Sequence, residues 1–216
     1  MHAPYPNLTF PDESFHRIDE TPDAFFYRQP RFVEHIDDAA IGAVVQLHRE
    51  LFPSGGAILD LMSSWVSHLP PEVQYGRVIG VGLNRAELEA NPRLQAFFVH
   101  DLNQDPRLPF GTDEFDAAAI CVSVQYLTRP VPVLRELGRV LRDGAPLAVT
   151  FSNRCFPTKA VAIWQAQDNA GHAQLVRRYL ELAGNWHNIA ALDRSPPGGD
   201  PLWAVVARAA ATMGRC

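Results

Sequence analysis

Cysteine is scarce in this sequence. The three present, Cys121, Cys155 and Cys216, stand far apart, with no CxxC pair and no Cys/His spacing. That argues against a disulfide framework and a zinc site, so no metal is expected; reduced thiols in a cytoplasmic setting fit better. A basic run is also lacking. Lys and Arg number 19 against 24 Asp and Glu, a net charge of −5, so no nucleic-acid partner is expected. No apolar run approaches a membrane span, so no membrane partner is expected either. Met1 to Phe10 lacks the basic-then-apolar layout of a secretory signal. No G-x-G-x-x-G follows a strand-like run, which weighs against a nicotinamide-dependent oxidoreductase.

What is present is an ordinary globular composition, 47% hydrophobic and 20% charged over 216 residues, enough for one well-cored domain. Residues 1–31, rich in Pro, Asp and aromatics, read as an irregular arm. Its aromatics (Tyr5, Phe10, Phe15, Phe25, Phe26, Tyr27) are too many for a free tail and are expected to pack over the rest. Residues 32–216 read as a single domain. Phe32 to Phe52 carries apolar residues at helical spacing and is stopped by Pro53-Ser54-Gly55-Gly56. Strand-like runs follow at Ala57–Met62, Arg77–Gly82, Gln95–His100, Phe115–Ser123 and Ala145–Ser152. Between them lie a short helix over Arg85–Ala90, with Asn84 and Glu87 at capping-box spacing, and a helix over Pro130–Leu141 whose prolines suit only its first turn. Two helical stretches, Thr158–Asn169 and His172–Ala183, precede strand-like runs at Trp186–Leu192 and Leu202–Ala210. Their short link suits an antiparallel pair. Apolar strands alternating with helices predict a mostly parallel sheet covered on both faces.

The segment FDAAAICVSVQYLTRPVPVLRELGRVLRDGAPLAVTF (Phe115 to Phe151), entered through LPFGTDEFD (Leu108 to Asp116), resembles the class I S-adenosylmethionine (SAM)-dependent methyltransferases, in particular the type-11 group. The resemblance covers about residues 57–152. It implies a Rossmann-like three-layer α/β sandwich, a mostly parallel seven-stranded sheet with an antiparallel C-terminal hairpin, SAM as cofactor, and methyl transfer to a small-molecule acceptor.

Ligands of a doubly wound sheet bind at the carboxyl ends of its strands. The resemblance therefore assigns cofactor roles along the strand tips. Asp60 matches the family's acidic position in the first loop, but the usual glycines are replaced by Met62 and Ser64. Ser63 and Ser64 suit either ligand contact or helix capping, as Ser67 suits capping. At the second strand's tip Gly82 stands where the family has the acid that binds the ribose hydroxyls. The amide oxygen of Asn84 can accept one such bond or cap the next helix. Asp101 and Leu102 match the pair that contacts adenine, with an Asx turn as the alternative for Asp101. Cys121 and Val122 end the fourth strand beneath the methionine moiety.

On the acceptor side, Gln125 and Tyr126 sit on the lip after that strand. Asn153 and Arg154 follow the fifth strand with groups suited to a carboxylate or phosphate, and Tyr27 and Arg31 of the arm can cover the same opening. Methyl transfer to a neutral thioether leaving group asks chiefly for alignment, and a base is needed only for a protonated acceptor. Tyr126, His68 and His100 are the catalytic candidates. The missing glycines and acid motivate an alternative: a non-catalytic binding or regulatory relative that has lost SAM use.

Overall fold

The computed structural model describes residues 10–211. Each predicted strand forms, and the ends differ for physical reasons. The arm is less irregular than expected. It holds a 3-10 turn at Asp12–Phe15 and a short helix α1 at Asp23–Phe26. Phe15 is buried against Phe10 and Tyr179, with ring centroids 5.6 and 6.1 Å away, whereas Phe25 is exposed; Tyr5 lies outside the described residues. Helix α2 spans Asp38–Leu51 rather than beginning at Phe32. Asp37 caps it, its carboxylate accepting from Ala40 N at 2.9 Å, and a cap residue cannot itself be helical. Phe32 and Val33 are accordingly exposed.

The doubly wound part follows: β1 (Ala57–Leu61), β2 (Arg77–Gly82), α3 (Arg85–Ala90), β3 (Ala96–Val99), β4 (Ala117–Cys121), α4 (Pro130–Val140) and β5 (Pro146–Phe151). The predicted first and fourth strands stop before Met62 and Val122 because both residues turn into the left-handed region, with φ of 60° and 42°. The expected helix over Thr158–Asn169 shrinks to α5, Ala162–Gln165. Its first turn is given up because Lys159 is drawn fully inside to donate to Asp19 O and Thr21 O. Helix α6 (Asn169–Ala183) starts on the Asp168 cap, and β6 (Trp186–Asp193) and β7 (Trp203–Ala209) close the chain.

The seven strands order as β3-β2-β1-β4-β5-β7-β6. β3 through β5 pair in parallel, and β7 is antiparallel to both β5 and β6. On one face α2 sets Leu47 against Ile58, Val78 and the small residues Ala117, Ala119 and Ala148. On the other, Val133, Leu134, Leu137 and Val140 of α4 join Val176 and Leu180 of α6 over Leu59, Leu61, Ile120 and Val149. Burying a sheet on both faces is what lets its central strands be apolar throughout. The order reverses between β1 and β4, so the carboxyl ends of β1, β2 and β4 face one crevice. Among the described residues no helix is long and apolar enough to cross a membrane.

Candidate functional site

The crevice holds an open cavity, with roughly 1150 Å³ of empty space when the solvent at its mouth is counted in. Every sequence-predicted cofactor residue lines it: Asp60, Met62, Ser63, Ser64, Asn84, Asp101, Leu102, Cys121 and Val122.

The first loop explains its missing glycines. Met62 adopts the left-handed backbone that glycine favours, at a cost in the range of ~1–3 kcal/mol that surrounding contacts must offset. The next two residues are pinned by three bonds. Ser63 N donates to Val81 O at 2.8 Å, its hydroxyl donates to Asp60 Oδ2 at 2.6 Å, and Asn91 Nδ2 holds the following carbonyl, Ser64 O, at 2.9 Å. The loop thus lies down on β2. A Cβ at position 82 would come within 2.2 Å of Ser63 O, so Gly82 is the residue that makes this seat possible. The two departures from the family pattern, a glycine-poor loop and no acid at the tip of β2, are one structural exchange.

Asp60 is buried, and desolvation raises its carboxyl to about 6, with the Ser63 and Ser67 hydroxyls opposing the shift. On the β2–α3 side, Asn84 Oδ1 caps α3 by accepting from Glu87 N at 3.1 Å, while its Nδ2 donates to Tyr27 O and Arg28 O. The Glu87 side chain does not close the capping box. It turns to the arm and accepts from Arg31 N at 2.7 Å. Opposite, Asp101 makes the Asx turn, accepting from Asn103 N at 2.9 Å, and burial raises its carboxyl. His100 Nε2 contacts Asp105 O at 2.8 Å. Burial pushes the Cys121 thiol up to about 12, so it is no nucleophile at neutral pH.

The acceptor-side candidates divide. Tyr27, Arg31 and Tyr126 line the cavity, as do His68 and His100. Gln125 is buried and donates to Val122 O at 2.9 Å, outside the lining. Asn153 and Arg154 are exposed and also outside it. Arg154 is a correction to the sequence reading: its guanidinium turns away to pair with Asp200 at 3.0 Å. Phe156, and not Arg154, lines the cavity, stacking 5.9 Å from Tyr126, whose hydroxyl accepts from Phe156 N. The Arg31 guanidinium lies 4.6 Å from the Phe26 ring centroid and 5.2 Å from that of Phe156. Its Nη2 donates to Phe26 O, and its Nη1 is buried with no hydrogen-bond partner among the described residues. His35 and His68 stand on the same side. Burial holds both imidazoles below the ordinary histidine range, Arg31 adding to the effect on His35, and lowers His68 to about 4. Both are neutral at pH 7.

Among the lining residues that the sequence did not point to are Asp23, Glu34, Glu87, Asn103 and Phe156. Asn103 Nδ2 bridges Asp23 Oδ2 and Tyr126 O at 2.8 and 2.9 Å, joining arm, loop and lip. A capping-box glutamate in the sequence gives no sign that its carboxylate faces a cavity.

Among the described residues, Asp23, Glu34, Asp60, Glu87 and Asp101 line the cavity, against a single arginine. Carboxylates in excess suit a ligand with cationic centres, such as a sulfonium and an ammonium. Apolar Met62, Leu83 and Leu102 supply surfaces for a flat base.

Comparison with known proteins agrees with this geometry. The family described as "Methyltransferase domain" matches residues 63–149. No protein of curated function matches the chain in sequence. Among solved structures, a SAM-dependent methyltransferase from Aquifex aeolicus superposes with a TM-score of 0.55 at 15% identity, over 86% of this chain and 96% of that one. One from Thermotoga maritima gives 0.56 at 15%, over 79% and 89%. The [4+2]-cyclase SpnF gives 0.59 at 16%, over 78% and 81%. At such identities the likeness is one of fold.

Proposed function

We propose that the chain is a class I SAM-dependent methyltransferase and that it methylates a small-molecule acceptor carrying an anionic group; the match over residues 63–149 and the shared fold support the first part. The observation that carries this reading is Arg31: a guanidinium in the cavity wall, packed against the Phe26 and Phe156 rings, with one Nη buried and without a hydrogen-bond partner among the described residues. An unpaired buried donor on a cation is costly and is relieved by a carboxylate or phosphate oxygen.

SAM, when bound, supplies the electrophilic methyl group and a neutral thioether leaving group. The residues suited to hold it are Asp60, Met62, Ser63 and Ser64 along the first loop, Asp101 and Leu102 at the base, and Cys121 and Val122 under the methionine moiety. Tyr126 and Phe156 form the wall between donor and acceptor and keep water from the path of transfer. Arg31 anchors the acceptor's anion. A neutral His35 or His68 takes the proton from an acceptor O–H or N–H, its lone pair free because burial keeps it uncharged. The arm, through Tyr27 and Arg31, roofs the site. With a net charge of −5, a small molecule suits the surface better than a nucleic acid.

The test is a screen with SAM and matched pairs of acceptors, each acid beside its amide, reading S-adenosylhomocysteine (SAH) formation. Turnover is expected for acids, and Arg31→Gln is expected to raise the acceptor KM about 10- to 100-fold, the range of a lost charged hydrogen bond, with SAH affinity kept. Equal turnover of the amides would contradict the acceptor class. A loss of SAH affinity in Arg31→Gln would mean that Arg31 holds the cofactor's own carboxylate. A second reading, a binding module without SAM chemistry, is favoured by one observation, the seating of the loop where a ribose acid would project. Absence of SAH binding would put it first.

A further inference from the structure

We propose that Glu87, on the first turn of α3, accepts the hydrogen bonds of the cofactor's ribose hydroxyls in place of an acid at the tip of β2. This rests on the reading above that the cavity takes SAM.

The exclusion at position 82 comes from backbone. A Cβ there meets the carbonyl oxygen of Ser63 at 2.2 Å and its carbon at 3.2 Å. That carbonyl cannot swing aside freely, because Ser63 N is bonded to Val81 O and its hydroxyl to Asp60. An aspartate or glutamate at 82 therefore demands that the whole seat of the loop move. A ribose lying over this tip still presents two O–H donors, and a carboxylate is the group that best receives such a pair.

On the β2–α3 segment, three alternatives are already spent or turned away. Asn84 gives its oxygen to the cap, Leu83 has no polar group, and Glu89 is exposed and pairs with Arg85. Glu87 is buried yet lines the cavity beside Gly82 and Asn84. One of its oxygens receives Arg31 N, which fixes the carboxylate's orientation, and no bond is made by the other among the described residues. A glutamate at this helix position ordinarily reaches back to its own cap; here the arm draws it toward the cavity instead. The acid then stands five residues beyond Gly82, where no Cβ fits.

The test is calorimetric titration of the full chain with SAH and with its 2′,3′-dideoxy analogue. It uses wild type and Glu87→Gln, which keeps a carbonyl oxygen for Arg31 N and so protects the arm; Glu87→Ala serves as a second variant, with thermal melts to confirm folding. The wild type is expected to bind the analogue about 10- to 100-fold more weakly than SAH. Each variant should lose a similar factor for SAH and show little further loss with the analogue. If the variants bind SAH like the wild type, or the penalty for removing the hydroxyls is undiminished in them, Glu87 is not the acceptor and the cofactor reading stands without it. If the wild type binds no SAH, both fall together.

Discussion

Two residues set the character of the cavity, and each has a measurable consequence. Gly82 looks like a defect to be repaired, but restoring the family's acid by Gly82→Asp would drive a Cβ into Ser63 O. Overpacking of this kind costs about 1–3 kcal/mol, so a melting temperature lower by several degrees is expected, together with weaker SAH binding. A variant that melts like the wild type and binds more tightly would show that the loop is not seated on β2 as described. Asp60 is the second residue. Its carboxyl is raised to about 6 from an ordinary 3.8 by burial, with the buried Cys121 thiol as its other titratable neighbour. The folded state then holds a proton that the unfolded chain releases between pH 4 and 6, so Asp60's contribution to stability falls as pH rises through that window. A cationic ligand favours the carboxylate and reverses the balance. SAM affinity is expected to rise from pH 5 to pH 7, by at most about tenfold per unit, more for SAM with its sulfonium than for SAH. Asp60→Asn should flatten the profile, and a flat wild-type profile would place Asp60 outside the binding reaction. Such details were only half legible in the sequence. It showed that the glycines and the acid were missing. That Met62 nevertheless holds a left-handed backbone, and that Gly82 answers a carbonyl across the loop, are tertiary facts that residue type does not encode.

At the scale of elements, the strands were readable because a two-faced sheet demands continuous apolar runs, and the short helix α3 was readable through its Asn84 cap. The errors fall where one side-chain bond, a local cap or a long-range partner, overrides the apolar spacing. Asp37 ends the coil before α2, and Lys159 unravels the helix expected after the fifth strand. Arg154 shows the same effect at the site, since its place after β5 suggested the cavity while Asp200 draws it to the surface. Lys159 carries the largest consequence. Fully buried, it sits 3.4 Å from Asp23, which also pairs with Arg17 at 2.7 Å. This cluster ties the arm to the segment after β5. Removing one partner of a buried ion pair costs about 3–5 kcal/mol, so Lys159→Met is expected to lower the melting temperature and to speed tryptic cleavage at Arg17, Arg28 and Arg31. Cleavage and melting unchanged from wild type would mean that the arm is held by its aromatics alone.

For the molecule as a whole, the fold brings the tips of β1, β2 and β4, the Asp101 loop, the arm and Phe156 around one cavity. The alternation of strands and helices foretold that crevice, and the match over residues 63–149 agrees with it. The arm's half of the lining had no periodic signal to announce it. A lining that holds five carboxylates together with Arg31, His35 and His68 suits the proposed pairing of a cationic methyl donor with an anionic acceptor. The most direct test is titration of the purified chain with SAH, in the wild type and in Asp101→Ala. The account predicts saturable one-site binding in the micromolar range, weakened about tenfold or more when the carboxylate opposite the base is removed. No heat and no thermal shift at millimolar ligand would contradict it, and would leave a methyltransferase fold whose cavity serves another ligand.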